Sequence, residues 1–278
     1  MSPLEPPLGG TKGPKLGYTV RRLVIGETVI DLGCGAGFDV FTAANRVGPS
    51  AHGGRTNDMA KNMIEKANKI KIKINAENIE FVQGAITSIP LPDNTADCII
   101  SNCVINLVPA AEKQLAFNEM YRLLRPGGRV SISDILARKE LTEDIKKNIA
   151  LYVGCISGAS QVSEHEAYLK KAGFWDPLIV DTKNDLNVYL TAGEDGTSCC
   201  GTGAEKDSSC CNAEMQARCC KPEQKESCCQ SGSSSTCGCQ DKTSMASDAK
   251  KLAASLGIMD FNEWAGSFQV YAVKPMTS

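Results

Sequence analysis

The sequence lacks any long apolar run. No segment approaches the roughly 18 consecutive apolar residues that a membrane-spanning helix needs, so no membrane partner is expected. The opening stretch MSPLEPPLGGTKGPKLGYTV has no apolar centre of the kind found in secretory signals, and we therefore expect a cytoplasmic protein. Aromatic residues are scarce at 5%, the formal net charge is -2, and no basic patch contains aromatics, which argues against a nucleic-acid partner. Nothing in the sequence indicates assembly, and we expect a monomer.

Histidine is also scarce. The chain contains only His52 and His165, far apart and without the spacing of metal ligands. The pattern places His52 in a loop and His165 on the surface of a helix. Neither histidine is expected to take part in chemistry.

Cysteine, in contrast, is abundant, with ten of the fourteen cysteines between residues 199 and 239. In a reducing compartment such density indicates metal or redox chemistry rather than structural disulfides. The surrounding Gly, Ser, Lys and Glu predict a disordered segment, and pairs that recur every nine residues do not match a zinc finger. All ten are candidate ligands for thiophilic ions, and the alternative is a loop whose cysteines contribute nothing to turnover: Cys199, Cys200, Cys210, Cys211, Cys219, Cys220, Cys228, Cys229, Cys237 and Cys239.

Short apolar runs alternate with helical patterns through much of the chain. This alternation predicts an α/β fold with a doubly wound, mostly parallel sheet. The strong strand pattern SFQVYAVK follows the cysteine-rich segment, so that segment is predicted to be an insertion before the last strand. The predicted organisation is an irregular lead-in, the main part of one domain, the cysteine-rich insertion, and a final helix and strand of the same domain, over residues 1–22, 23–190, 191–247 and 248–278.

The stretch VIDLGCGAGFD indicates a ligand site after the first strand. Asp31 is followed by Gly33, Gly35 and Gly37, and glycines are needed where a backbone turns sharply against a ligand. A helix follows at once and offers free N–H groups at its start. The frame is not G-x-G-x-x-G, so a dinucleotide fits less well. The alternative is an ordinary strand–turn–helix connection without a ligand.

These residues resemble the class I S-adenosylmethionine-dependent methyltransferases. The segments VQGAITSIPLPDNTADCIIS and LLRPGGRVSISD match the later strands of that superfamily. The resemblance implies a Rossmann-like sheet with an antiparallel last strand, and S-adenosylmethionine as methyl donor. It also implies that an acid 21 residues past Gly37 accepts the ribose hydroxyls. The implied cofactor-binding residues are Asp31, Gly33, Gly35, Gly37, Asp58, Met59, Ala85, Ile86 and Asn102.

Three further segments, SNCVINLVP, LYVGCISGA and EWAGSFQVYAVKP, are similar to the fungal-type arsenite methyltransferases. The resemblance implies arsenic detoxification, in which Cys103 and Cys155 hold trivalent arsenic and a thiol reductant, glutathione or thioredoxin, restores the cysteines. Trivalent arsenic is a soft centre that favours thiolates, and such a transfer depends mainly on positioning. The alternative is that both are buried structural cysteines. Cys34 and Cys98 are assigned to packing.

Two departures from that family keep other functions open. The span KLGYTVRRLVIGE contains no cysteine where the family has a third arsenic ligand. In addition, SAHGGRTND is a poor sequence for a central second strand, although Asp58 regains the expected register. A chain with two ligands suits arsenite already bound to a small thiol such as glutathione, or an already methylated arsenical such as methylarsenite. The alternatives are a thiol-rich sequestering protein on a methyltransferase scaffold, or a methyltransferase for another small molecule.

Overall fold

The structure, a computed structural model, describes residues 23–49, 55–147, 155–187 and 253–276. The chain divides into two units, Met1–Lys15 with Val188–Gly257 and Leu16–Asn187 with Ile258–Ser278. Of the first unit only residues 253–257 are described, and the architecture below belongs to the second. The lead-in, the cysteine-rich insertion with its ten cysteines, and His52 lie outside the described residues.

The described strands form one seven-stranded sheet in the order β3-β2-β1-β4-β5-β7-β6. Strands β1 to β5 are parallel to one another, whereas β7 runs antiparallel to both of its neighbours, β5 and β6. The predicted mostly parallel sheet with an antiparallel last strand is therefore confirmed. The strands are β1 (Val29–Leu32), β2 (Arg55–Asp58), β3 (Glu80–Gln83), β4 (Ala96–Asn102), β5 (Leu124–Ala137), β6 (Trp175–Asp181) and β7 (Ala265–Val273).

The helices connect these strands and cover the sheet. The pattern of α1 buries Val40, Ala43, Ala44 and Val47 on one face. Helix α5 begins with a reciprocal capping box in which Gln161 and Glu164 satisfy backbone donors. The helices are α1 (Phe38–Val47), α2 (Lys61–Lys73), α3 (Lys113–Leu123), α4 (Glu143–Lys147) and α5 (Val162–Ala172), with short 3-10 turns at Ile105–Leu107 and Phe261–Glu263. Within the described ranges, no helix is long and apolar enough to cross a bilayer.

The central strands are buried on both faces. Continuous apolar runs in a sequence predict such burial for strands of a parallel sheet. Ile30 and Ile99 face a cluster that contains Phe117 of α3. On the opposite face, Val29 and Cys98 join a cluster with α1 residues. Successive residues of one strand thus pack against helices on opposite sides, which fixes the register of the sheet.

The strand order places a crevice between β1 and β4. After β1 the chain moves outward to β2 and β3, and it then returns to pair β4 with the other side of β1. Loops that leave the carboxyl ends of two such strands diverge, and ligands of open α/β sheets bind at this switch point. The loops after β1 and β4 begin at Gly33 and Cys103, so both predicted sites lie at this edge.

Element boundaries differ from expectation at three places. The second strand exists, but it has only four residues and pairs with β1 and β3. Helix α3 ends at Leu123, before Pro126, and the next strand begins at Leu124, five residues earlier than the apolar pattern RVSISDIL. A helix predicted over 141–153 is seen at Glu143–Lys147, and residues 148–154 lie outside the described part.

Candidate active site

The turn of residues 33–37, the glycine turn, joins β1 to α1. Gly33 and Gly35 have φ values of 64° and 53°, a region that residues with a side chain rarely adopt. A Cβ on Gly33 would collide with the side chain of Val104, whereas a Cβ on Gly35 would meet nothing within 4 Å. Gly33 is thus required by packing against the loop after β4. Gly35 faces open space in which a ligand can approach the backbone.

Asp58, at the end of β2, is bound to the glycine turn. Its Oδ2 accepts a hydrogen bond from the Gly35 N–H at 2.9 Å, and its Oδ1 accepts one from the Ala60 N–H at 2.7 Å. An ionised carboxylate has about four lone-pair positions, so acceptor capacity remains for hydroxyl donors. Met59 beside it is 70% exposed. Ala85 and Ile86, which follow β3, are half-buried.

A second group of acceptors lies behind the glycine turn. Asp31 is buried, and its Oδ2 has no hydrogen-bond partner among the described residues. Burial, followed by the nearby Asp39 carboxyl, raises the pKa of Asp31 well above its usual value, and burial also raises the pKa of Asp39. Asn102 donates a hydrogen bond of 3.4 Å from Nδ2 to Asp39, and its own Oδ1 is buried without a partner in the described part of the chain.

Buried acceptors without donors are costly, and two neighbouring carboxyls repel each other. A ligand that carries a positive charge and N–H donors would relieve both costs. The three side chains therefore suit the cationic end of a ligand whose hydroxyls reach Asp58.

The loop after β4 begins with Cys103, and the side chain of Cys155 lies against it. The Cys103 N–H extends the ladder between β4 and β5 by donating to the Ser133 carbonyl at 2.9 Å. Cys155 donates from its Sγ to the Cys103 carbonyl at 3.2 Å. The two sulfurs and a carboxylate oxygen of Asp134 all lie within 4.8 Å of one another. We call these three side chains the two-thiol pocket.

Both cysteines of the two-thiol pocket are held in an unusual backbone conformation. Cys103 and Cys155 have φ values of 54° and 63°, which cost non-glycine residues about 1–2 kcal/mol each. Such conformations persist where the surrounding structure imposes them, and they cluster at functional sites. The hydrogen bond with Cys155, followed by burial and the Asp134 charge, raises the pKa of the Cys103 thiol. The Cys103 thiol therefore keeps its proton until a ligand displaces it.

Asp134 is fixed by three donors. Its Oδ2 accepts from the Ile105 N–H at 3.1 Å, and its Oδ1 accepts from the Ile135 N–H at 2.9 Å and from Asn106 Nδ2 at 2.8 Å. Burial raises the pKa of Asp134 to about 7, while these hydrogen bonds and the charge of Lys113 oppose the shift. The carboxyl is therefore directed at the sulfurs by its neighbours.

The segment that carries Cys155 is attached by two buried donors. The two hydrogens of Asn106 Nδ2 are shared between Asp134 Oδ1 and two further acceptors, the Cys155 carbonyl at 2.8 Å and the Ile135 carbonyl at 2.6 Å. Lys113, only 2% exposed, donates from Nζ to the Gly158 carbonyl and, at 2.9 Å, to Ser160 Oγ. Burial lowers the pKa of Lys113. These contacts set the position of Cys155 relative to Cys103.

Four of these residues were not among the predicted site residues: Asp39, Asn106, Lys113 and Asp134. Asp134 had a usable sequence signal, because it is an acid within the apolar strand pattern RVSISDIL, next in the sheet to SNCVINL. Lys113 had none, since a lysine near the start of an amphipathic helix normally faces solvent.

The remaining cysteines of the described residues differ from one another. Cys98 is buried in the core, which agrees with its assignment to packing, and burial raises its pKa to about 12. Cys34 lies in the glycine turn, is only partly buried, and donates to the Gly35 carbonyl at 3.5 Å. Its pKa is also raised to about 12, chiefly by burial, so neither thiol is an activated nucleophile.

The prediction for His165 was wrong. It was expected on a helix surface, but its side chain is fully buried in α5 with its ring edge-on to Phe117, at 4.9 Å between centroids. Burial lowers its pKa to about 3. The helical pattern failed here because a neutral imidazole packs as an aromatic ring, and the sequence does not reveal which face of α5 meets α3.

The family model described as a methyltransferase domain matches residues 24–173. The chain is 48% identical over 166 residues to the arsenite methyltransferase of Halobacterium salinarum, a match that covers 60% of this chain and 41% of that protein. It is 34% identical over 169 residues to the human arsenite methyltransferase, which covers 58% of this chain and 44% of the human protein. The chain thus spans less than half the length of these curated relatives.

Solved structures show the same fold. An arsenic(III) S-adenosylmethionine methyltransferase from Chlamydomonas reinhardtii matches with a TM-score of 0.55 and 21% identity, over 91% of this chain and 64% of that one. A phosphoethanolamine N-methyltransferase of Haemonchus contortus in complex with S-adenosylmethionine matches with a TM-score of 0.61 and 17% identity, over 94% of this chain and 51% of that one. At these identities the likeness concerns the fold alone.

Proposed function

The chain belongs to the methyltransferase domain family, and from that premise we propose that it transfers a methyl group from S-adenosylmethionine to trivalent arsenic held by Cys103 and Cys155. The observation that carries the proposal is the convergence of the two sulfurs within 4.8 Å, at the sheet edge that also holds the glycine turn. The names of the relatives support arsenic as the acceptor.

The donor side of the crevice fits S-adenosylmethionine by its unmet acceptors. When bound, this cofactor supplies a methyl group activated on a sulfonium cation. Asp58 accepts the ribose hydroxyls, while Asp31 and Asn102, with the Asp39 carboxyl, face the cationic amino-acid end. Gly35 leaves room for close approach of the ligand to the backbone. Met59, Ala85 and Ile86 flank the adenine.

On the acceptor side, Cys103 and Cys155 hold arsenic as a pair of thiolates. Soft ligands bind a soft centre and leave its lone pair free, and the two sulfurs fix where that lone pair points. No proton needs to move during methyl transfer, so positioning supplies most of the rate increase. Asn102 and Cys103 are consecutive, which brings the two sides of the crevice together at the end of β4.

Two described thiols leave the third arsenic position to a small thiol. We therefore infer that the acceptor is arsenite, its glutathione conjugate or methylarsenite. Methyl transfer uses the arsenic lone pair and leaves pentavalent arsenic; two electrons from the Cys103 and Cys155 thiolates, which close to a disulfide, return it to the trivalent state, and glutathione or thioredoxin reduces that disulfide. Such chemistry requires a reducing compartment, which the cytoplasm provides.

The test is methylation by the purified full chain supplied with labelled S-adenosylmethionine, arsenite and glutathione. Labelled methylarsenicals are expected, together with their loss by at least about 100-fold in Cys103→Ser and in Cys155→Ser, because removing a group that positions a reactant forfeits much of the intramolecular advantage. Donor affinity should be unchanged in both variants, since the donor-side acceptors Asp31, Asp58 and Asn102 remain.

Cys98→Ser is the matched control, because it removes a buried thiol of the same sheet away from the pocket. Full activity in Cys103→Ser would exclude arsenic binding by this thiol. Arsenite binding without turnover would instead favour a sequestering protein. Label transferred only to a carbon, nitrogen or oxygen acceptor would favour a methyltransferase of another substrate class.

A further inference from the structure

The two-thiol pocket contains a donor that the proposed methyl transfer does not use, the carboxylate of Asp134. We propose that Cys103, Cys155 and Asp134 together bind a divalent cation of the Zn²⁺ class, which occupies the pocket in competition with trivalent arsenic. The binding site stands on geometry alone, and only the competition rests on the proposed function.

The donor set matches such a cation in kind and in spacing. Cysteine sulfur and aspartate oxygen are both common zinc ligands, at roughly 2.3 Å and 2.0–2.2 Å, so two donors of one tetrahedron lie about 3.6–3.8 Å apart. The three donor atoms lie within 4.8 Å of one another. No pair therefore needs to approach by more than about 1 Å to reach tetrahedral spacing.

The pocket is also built before any ion arrives. Ligands that are held by hydrogen bonds to their surroundings bind metals more tightly. Asp134 accepts from the N–H groups of Ile105 and Ile135 and from Asn106, and its Oδ2, which accepts only one of these bonds, keeps acceptor capacity. The same Asn106 amide binds the Cys155 carbonyl, so one buried side chain fixes two of the three ligands.

Charge favours a divalent ion. Binding displaces the thiol protons to solvent and leaves two thiolates and one carboxylate, three negative charges in a buried site. Among the described residues, Lys113 is the cation whose charge acts on the Asp134 carboxylate. Its Nζ donates to the Gly158 carbonyl and to Ser160 Oγ. A divalent cation neutralises most of the remaining charge, whereas trivalent arsenic bound to thiolates is uncharged.

The Asp134 carboxylate should also affect the binding of Zn²⁺ and of trivalent arsenic differently. Trivalent arsenic prefers sulfur and gains little from a carboxylate, while a borderline ion such as Zn²⁺ accepts both. Loss of the Asp134 carboxylate should therefore weaken zinc binding and spare arsenic. This difference provides the test.

The experiment uses the full chain with its ten cysteines between 199 and 239 replaced by serine, a background shared by all variants. Zn²⁺ alone is titrated against a chromophoric chelator, and binding of a trivalent phenylarsenical is measured separately. We expect one Zn²⁺ per chain. Asp134→Asn should weaken Zn²⁺ by at least about tenfold, since even partners beyond the ligands typically contribute 10–100-fold. Its phenylarsenical affinity should change by less than about threefold, since both sulfurs remain.

Cys103→Ser should bind neither Zn²⁺ nor the phenylarsenical. Asp97→Asn is the matched control, because Asp97 also accepts from a backbone N–H, that of Thr28, away from the sulfurs, and it should bind both as the background does. Equal zinc affinity in Asp134→Asn and the background would overturn the proposal, as would failure of Zn²⁺ to displace the phenylarsenical.

Zinc X-ray absorption on the unsubstituted site gives a second measurement that does not depend on the folding of Asp134→Asn. Two sulfurs at about 2.3 Å with oxygen at about 2.0–2.2 Å are expected, and a shell without sulfur would overturn the proposal. Zinc bound in this way by a chain that methylates no arsenic would refute the proposed function and leave the metal site standing.

Discussion

The glycine turn and the two-thiol pocket lie at the same sheet edge but are built in different ways. The glycine turn takes its shape from backbone in one continuous stretch, residues 33–37, whose Gly35 N–H donates to the Asp58 side chain. The two-thiol pocket takes its residues from three segments, at positions 103, 134 and 155, held together by buried side chains.

This difference determines how each site can fail. A backbone site depends on the absence of side chains, and it is damaged by adding atoms. A site assembled from distant segments depends on donors that hold those segments, and it is damaged by removing atoms. The two sites meet where Gly33 packs against Val104, the residue after Cys103.

Gly33→Ala should damage both sites at once, because the added methyl group lies where the glycine turn packs against the loop that begins with Cys103. Its Cβ would collide with the Val104 side chain, at a φ of 64° that already disfavours alanine. We expect a loss of about 3 kcal/mol in unfolding free energy from strain and overpacking together. Urea unfolding measures the loss, and both donor affinity and phenylarsenical affinity should fall.

Gly35→Ala is the matched control, with a similar φ of 53° and nothing within 4 Å of the added Cβ. It should cost only the conformational strain of about 1–2 kcal/mol and weaken donor binding alone. If both variants weakened the phenylarsenical equally, the Gly33–Val104 contact would not couple the two sites.

Asn106→Ala should affect the two-thiol pocket and leave the glycine turn intact. It removes the donors to Asp134, Ile135 and Cys155 and leaves buried acceptors unpaired, at a cost of about 2 kcal/mol. The phenylarsenical affinity should fall by at least about tenfold, equivalent to about 1.4 kcal/mol, while donor affinity is retained. Asn106→Ser keeps one donor and should recover part of the loss.

Asn78→Ala is the control for a purely structural amide, since Asn78 also donates to two backbone carbonyls, those of Ala44 and Gly48, at 3.1 Å each. It should lower stability without changing phenylarsenical affinity. A similar fall in both variants would mean that Asn106 acts only through overall stability.

The comparison also explains what the sequence can predict. The alternation of strands and helices and the glycine turn follow from local patterns: apolar runs in β1, β4 and β5, and glycines at positions that need a positive φ. The pairing of Cys103 with Cys155 came from a family resemblance, because a sequence separation of 52 residues places no geometric limit on it. The convergence of their sulfurs in the structure agrees with that pairing, while their role as arsenic ligands stays a prediction.

Local sequence patterns do not identify three residues of the site: Asp134, Asn106 and Lys113. Each is polar and buried, and each has a partner 20 or more residues away, so no local period identifies it. The register between β4 and β5, which brings Asp134 beside Cys103, is set by packing on both faces of the sheet. His165 was misassigned for the same reason.

His165 supports the last prediction, an effect that is confined to acid pH. Burial lowers its pKa to about 3, and both ring nitrogens lack partners among the described residues. The unfolded chain binds a proton near pH 6.5 that the folded chain refuses until about pH 3, so the contribution of His165 to the unfolding free energy falls as pH decreases through this window, while the raised pKa of Asp134 contributes with the opposite sign. The slope is about 1.4 kcal/mol per pH unit.

His165→Leu should remove this slope, with little change above pH 7, and urea unfolding between pH 7.5 and 4.5 measures it. Because His165 packs on Phe117 of α3, the helix whose Lys113 holds the Cys155 segment, acid should loosen the two-thiol pocket before the glycine turn. Hydrogen exchange at pH 5 would therefore rise first at residues 155–160 in the parent chain, and not in His165→Leu. Hydrogen exchange at the glycine turn should be equal in the parent chain and in His165→Leu. Acid would then lower the local stability of the two-thiol pocket without lowering that of the glycine turn.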